Sequence, residues 1–216
     1  MILGGSGCGK SVFLKHLPGL LKPAEGSIQI DGHEIAHLKE RQLSEARHLV
    51  SIMFQTGALF DSLTVYENVA FPLREAGVRE EQEIRRRVTE ALEIVRLPGQ
   101  EGKLPSDLSG GMRKRVALAR AVVDRPACVL FDEPHAGLDP VTADSIDHLI
   151  KDLQRSHHMT NVVVTHEMRS VFRIADRVAF MKAGLIHWLG TPAELAATAD
   201  PELHAFIHGD SGEPWE

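Results

Sequence analysis

Apolar residues recur along this chain in two rhythms. Val12, Phe13, Leu14, Leu17, Leu20 and Leu21 follow a helical spacing, which predicts a helix over residues 11–21 that stops at Pro23 and Gly26. Residues 27–30 alternate, Asp31-Gly32 is a hairpin-turn dipeptide, and 33–35 read as the return strand. The apolar run 49–54 fits a buried strand. From 64 to about 95 the rhythm becomes helical, with Ile84, Val88, Ala91, Leu92 and Val95 on one face of a strongly charged segment. After a stretch rich in Pro, Gly and Ser, another helix is expected over 112–123. Strand-like runs then return at 127–131, 161–165, 177–181 and 185–189, separated by helical patterns at 141–154 and 167–175. Strands alternating with helices predict an α/β fold built on a largely parallel sheet. The expected division is a core of residues 1–54 and 117–197, an inserted helical subdomain over 55–116, and a tail over 198–216.

Composition narrows the class. The chain has 216 residues, 43% hydrophobic and 25% charged, enough to bury a real core, so disorder and small disulfide scaffolds are excluded. A formal net charge of −6 disfavours nucleic acid as a partner, because phosphate neutralisation needs a surplus of Lys and Arg. No apolar run approaches the roughly 18 residues of a spanning helix, and the N-terminus lacks the layout of a signal peptide, so a cytoplasmic location is expected. Cys8 lies in a Gly-rich loop and Cys128 in an apolar run, which suits reduced thiols.

Candidate chemistry begins almost at once. Gly4-Gly5-Ser6-Gly7-Cys8-Gly9-Lys10-Ser11 satisfies G-x-x-x-x-G-K-[ST], placed after apolar Ile2-Leu3 and opening a helix. Such glycines let the backbone curl so that its N–H groups point at phosphate oxygens, and the helix adds its positive dipole end. Lys10 can reach the β- and γ-phosphates of a nucleotide, while Ser11 offers a hard oxygen to Mg²⁺. Cys8 sits at a variable position of the loop, where alkylation would block the nucleotide.

The second half supplies the rest of a hydrolytic site. Cys128 to Glu133 is an apolar strand ending in two carboxylates, of which Asp132 suits the metal's water shell and Glu133 suits polarising an attacking water. Thr165-His166 ends another apolar run, and His166 can contact the γ-phosphate or hold the water and Glu133. Ser109-Gly110-Gly111-Met112 opens a helix and is a second phosphate-binding element. One nucleotide already fills the first loop, so this element is expected to cap a nucleotide held by a second copy.

With these motifs assembled, the chain resembles the nucleotide-binding subunit of an ABC transporter. The phosphate loop, the glutamine Gln55 in FQTGALF, the signature LSGGM, the strand ending in DEP, the loop Ala136-Gly137-Leu138-Asp139 and His166 occur in the family order. The resemblance implies a P-loop NTPase core, RecA-like, with an inserted helical subdomain. It implies ATP and Mg²⁺ as ligands and a head-to-tail homodimer sandwiching two ATP molecules. Gln55 would contact the Mg²⁺ and water region and couple it to a membrane permease subunit, Asp139 belongs to the family's D-loop, and the protein would sit on the inner face of the cytoplasmic membrane. The family carries a fuller first strand and further N-terminal strands with an adenine-stacking aromatic. Residues 1–3 leave no room for these, so an internal start or a truncated chain is expected.

Finer features resemble the phospholipid-trafficking branch, the Mla and Mce-associated ATPases. They are Met112 in place of the usual glutamine, the run from Phe54 to Glu75, and the tail motifs Asp200-Pro201 and Phe206-Ile207-His208-Gly209. This branch implies an extracytoplasmic lipid-binding subunit of the MCE type, reached through the permease. Ala58, Leu59, Phe60, Leu63 and Phe71 are the candidate groove for a permease helix. A non-lipid cargo, a non-transport ABC ATPase and an inactive fragment are the alternatives. His135 departs from the residues usual after Glu133-Pro134. His33-Glu34-Ile35-Ala36-His37 matches H-E-x-x-H but falls where a strand is expected, so no zinc site follows. Arg85-Arg86-Arg87 lies among glutamates and reads as a salt-bridged helix face.

Overall fold

The computed structural model describes residues 1–39, 42–43 and 47–210. The last six residues of the expected tail, 211–216, lie outside them. The main sheet has six strands in the order β4-β5-β6-β1-β7-β8. These are β1 (Ile2–Leu3), β4 (Val50–Met53), β5 (Cys128–Asp132), β6 (Thr160–Val164), β7 (Val178–Lys182) and β8 (Leu185–Gly190). All neighbouring pairs are parallel except β7 with β8. A separate antiparallel hairpin, β2 (Gln29–Ile30) and β3 (His33–Glu34), is turned by Asp31-Gly32 as expected.

Alternation along β5 shows why the sheet is buried on both faces. Val129 and Phe131 point into the large core under the helical subdomain, whereas Leu130 joins Ile2, Leu14, Val50, Val164 and Met181 on the opposite face. The register Asp132↔Val164 and Ile2↔Val164 sets the carboxyl ends of β5, β6 and β1 side by side. That alignment positions the site.

Helix α1 (Lys10–His16) is shorter than the pattern predicts. It ends because Pro18 cannot donate to the ladder and Gly19, at φ 69°, turns the chain, its N–H donating to the carbonyl of His16. Among the apolar residues of this stretch Leu14 is fully buried, while Val12, Phe13, Leu20 and Leu21 face outward.

The helical pattern over 64–95 is two helices, α2 (Val65–Glu75) and α3 (Glu81–Ile94). Thr64 and Glu67 form a capping box at the start of α2. Gly77 then adopts φ 86°, and the N–H groups of Gly77 and Val78 close on the carbonyls of Arg74 and Leu73, a Schellman turn that stops α2. The predicted stripe Ile84, Val88, Ala91, Leu92 and Val95 is buried as a unit. Arg86 pairs with Glu83 and Glu90, and Arg87 with Glu83 and Asp124, so these two of the basic run are ion-paired, while Arg85 stands over the Tyr66 ring at 5.5 Å. Helix α4 (Gly110–Val122) crosses the expected boundary at 116/117 without a break.

Helices α5 (Pro140–His157) and α6 (Met168–Ile174) follow the pattern. Two short helices were not expected from it, α7 (Pro192–Ala196) and α8 (Pro201–His208), capped by Thr191 and Asp200. Leu195 and Leu203 are buried beside Phe180, and Phe206 meets Phe180 edge-on at 5.1 Å, a contact worth about 0.5–1.5 kcal/mol beyond area burial. Residues 201–208 therefore dock on β7. Among the described residues no helix is long and apolar enough to cross a membrane.

Candidate nucleotide site

The loop between β1 and α1 is built from backbone that other residues could not supply. At Gly4, φ is 148° and a Cβ would lie 2.3 Å from the carbonyl oxygen of Met181. Gly9 caps α1 at φ 105°, which aims the first turn of the helix at the loop. Lys10 folds back across the curl, its ammonium donating to the carbonyls of Gly4 at 2.8 Å and Gly5 at 2.9 Å. Cys8 is half-buried, with Sγ 3.9 Å from the same ammonium.

This loop forms one wall of an open cavity of about 410 Å³ that also takes in Gln55, Asp132, Glu133 and His166. Ser6, Gly7, Gly9, Lys10 and Ser11 are its loop residues. Ser11 Oγ donates to Asp132 Oδ1 at 3.2 Å, joining the helix start to the end of β5. These two hard oxygens and the Gln55 side chain suit a divalent cation that keeps water and phosphate as its remaining ligands. Among the described residues no cluster of three or more His, Cys, Asp or Glu could hold a metal by itself.

Glu133 stands one residue past the strand in a left-handed conformation, φ 48°, a costly backbone for a residue with a Cβ. Its N–H donates to Val164 at 2.9 Å, and its carbonyl accepts from Ala136 at 3.1 Å. The carboxylate oxygen Oε2 lies 2.9 Å from Nδ1 of His166. The two are too poorly aligned for a hydrogen bond, so this buried oxygen has no hydrogen-bond partner among the described residues. His166 itself is largely exposed at 72%. A water taken up beside this pair would find an acceptor and a ring nitrogen already in place.

The cavity is held from behind by residues that the motifs did not flag. Lys114 on α4 is buried and donates to the carbonyl of Gln55, close enough to Glu133 to feel its charge. Burial pushes its pKa down, and Glu133 opposes that shift. Arg120, two turns further along, donates to the carbonyls of Gly57 and Ala58. Asn68 is fully buried and ties the following loop to α2, accepting from the N–H of Phe60 and donating to the carbonyls of Phe60, Leu63 and Thr64.

The signature residues Ser109, Gly110, Gly111 and Met112 do not line this cavity. Ser109 caps α4 by accepting from Met112 N–H, and Gly111 packs so closely on Thr142 that a Cβ would lie 2.5 Å from its methyl. Asp139 does not line it either. It caps α5, accepting from the N–H groups of Val141 and Thr142 and from the Thr142 hydroxyl, which holds its carboxyl below the usual range. In the H-E-x-x-H stretch, His33 and Glu34 lie on β3, and Glu34 accepts from the N–H groups of Ile28 and Ala36. Its job is to hold the hairpin.

A profile of the family described as ABC transporter matches residues 1–136. The chain belongs to that family. It is 44% identical over 210 residues to the "Probable ribonucleotide transport ATP-binding protein mkl" of Mycobacterium leprae, which covers 97% of this chain and 60% of the relative. The chain thus spans about three fifths of that relative's length. It is 40% identical over 213 residues to the "Intermembrane phospholipid transport system ATP-binding protein MlaF" of Haemophilus influenzae, covering 99% and 81%. Relatives named for spermidine/putrescine import and for methionine import match at 43% identity. Among solved structures, a dimeric post-hydrolysis state of an ATP-binding cassette bound to ADP and Pi superposes at a TM-score of 0.81, with 34% identity over 88% of this chain and 84% of that one. The fold is that of these ABC cassettes, a parallel-stranded α/β core.

Proposed function

We propose that this chain binds ATP with Mg²⁺ and hydrolyses it as the nucleotide-binding subunit of an ABC transporter. The observation that carries the reading is the convergence, on one cavity, of the Lys10-Ser11 loop with the Glu133–His166 pair at 2.9 Å. The loop N–H groups and Lys10 cradle the phosphates. Glu133 takes a proton from water as its oxygen attacks the γ-phosphorus, and the bond to the bridging oxygen breaks to leave ADP and phosphate. His166 holds the γ-phosphate and the water in line. When bound, Mg²⁺ neutralises charge on the phosphate oxygens, and Ser11, Asp132 and Gln55 are the residues that would hold it.

Because Ser109, Gly110 and Gly111 lie outside the cavity of their own chain, they are assigned to a nucleotide held by a second copy, in a head-to-tail dimer. Asp139, next to the signature turn through Thr142, is assigned to the same interface. The exposed rings of Phe60 and Phe71, 4.9 Å apart and with Arg120 over Phe60, are assigned to the permease, with Ala58 beside them. Leu59 and Leu63 are half-buried, and Leu59 packs on the core, so they support that surface from below.

For the cargo, the likeness to MlaF and the branch features Met112 and Phe54 to Glu75 support a phospholipid or another lipid, with an MCE-type subunit beyond the permease. The protein would then work on the inner face of the cytoplasmic membrane. Glu133→Gln is expected to abolish ATP turnover and to trap an ATP-bound dimer, read by size-exclusion chromatography; unchanged turnover would sink the assignment. Purification of the native complex is expected to bring down a multi-span permease and an anchored lipid-binding partner. A polyamine or amino-acid permease in their place would overturn the lipid cargo alone.

A further inference from the structure

Behind the candidate catalytic pair lies a buried polar cluster that the hydrolytic reading does not use. His135, Asp147 and Ser170 are 7%, 2% and 1% exposed. Asp147 Oδ1 accepts from His135 Nε2 at 2.8 Å, and its Oδ2 accepts from Ser170 Oγ at 2.7 Å. A carboxylate that accepts on both oxygens requires a proton on His135 Nε2, while Nδ1 of the same ring is buried and without a hydrogen-bond partner among the described residues. Ser170 Oγ also lies 3.5 Å from His135 Nε2, but the proton of that nitrogen is spent on Asp147 at 2.8 Å, so the serine is held as a donor to the carboxylate and not activated by the histidine.

The three residues come from three elements, and two of those elements lead into the site. His135 is two residues past Glu133, in the turn where Ala136 N–H closes on the Glu133 carbonyl. Ser170 is on α6, four residues past His166, in the helix whose cap Glu167 directly follows it. Asp147 lies on α5, packed against α6. A single buried carboxylate therefore ties down both segments that carry the candidate catalytic pair. The left-handed backbone at Glu133 needs such support, since a strained residue persists only where its surroundings over-determine it.

We propose that Asp147 is a positioning residue for hydrolysis, which through His135 and Ser170 fixes the separation of Glu133 and His166. The inference rests on the ATPase reading and deepens it. Among the described residues, the hydrogen bonds of the cluster involve no residue of the Gly4 to Ser11 loop, so nucleotide binding and chemistry are expected to separate under substitution. The test is steady-state ATP turnover by the full 216-residue chain, with thermal unfolding followed in parallel. Asp147→Asn keeps the volume and changes one acceptor to a donor; kcat is expected to fall roughly tenfold while KM for ATP stays within about twofold. Ser170→Ala is expected to lower kcat in the same direction, and Ser170→Thr, which keeps the hydroxyl, to restore it. Should Asp147→Asn fail to fold, the Ser170 pair carries the test alone. Unchanged kcat, equal losses in kcat and KM, or a Thr variant as slow as the Ala variant would each overturn the proposal. A wild-type chain without turnover would overturn the ATPase reading along with it, whereas an active wild type indifferent to Asp147 and Ser170 overturns only this inference.

Discussion

At the residue scale, the site depends on positions whose chemistry is set by contact rather than by type. Gly4 is the clearest case: its φ of 148° and the carbonyl of Met181 leave no room for a methyl group. Gly4→Ala is expected to cost about 2–4 kcal/mol of stability from backbone strain and overlap, measured by urea unfolding, and to abolish ATP binding. A variant of wild-type stability would show that the loop can move away from β7. Gly4, Lys10 and Ser11 were legible because the phosphate motif is contiguous. Lys114 and Asn68 were not, although a signal existed. Each is a polar residue on an apolar helical stripe, Lys114 three and four positions before Ala117 and Leu118, and Asn68 three after Val65. A polar group in such a place must find partners, and both find theirs in the backbone of the segment after β4, Lys114 at a carbonyl and Asn68 at carbonyls and the Phe60 N–H.

Periodicity located the elements well and their ends poorly. The 11–21 helix stops early because a Pro-Gly pair inside an apolar run is stronger punctuation than the run itself, and 64–95 breaks where Gly77 accepts a left-handed turn. Helix α3 ends in the same Schellman turn, closed by Arg96 and Leu97 on the carbonyls of Glu93 and Leu92, but with arginine at φ 58°. Arg96→Gly removes that strain and loses only an exposed ion pair with Asp152. The variant is expected to gain about 0.5–1 kcal/mol, or about 1–4 °C in Tm by calorimetry. A lower Tm would mean that the ion pair outweighs the backbone. Helices α7 and α8 escaped the pattern because each is about two turns or less, too short for a stripe to repeat.

For the whole molecule, the proposed assignment of Ser109, which lies outside its own chain's cavity, to a nucleotide held by a second copy can be tested through assembly. In a head-to-tail dimer each site takes Lys10 from one copy and Ser109 from the other. Lys10→Ala and Ser109→Arg chains are each expected to be inactive, yet an equal mixture should recover on the order of a quarter of wild-type turnover, from heterodimers with one intact site. A mixture as inactive as its components would rule out shared sites. By itself the sequence determined what lies close along the chain: the phosphate loop, the acidic strand end, the signature turn and the family they imply, because each is a short segment whose backbone shape and chemistry are local. Tertiary structure alone decided which segments meet. Ser11 reaches Asp132 across 121 positions, Lys114 reaches Gln55 across 59, and Asp147 gathers His135 and Ser170. Those meetings follow from strand order and register in a parallel sheet, where neighbours in space are distant in sequence, and periodicity along one strand carries no record of the strand beside it.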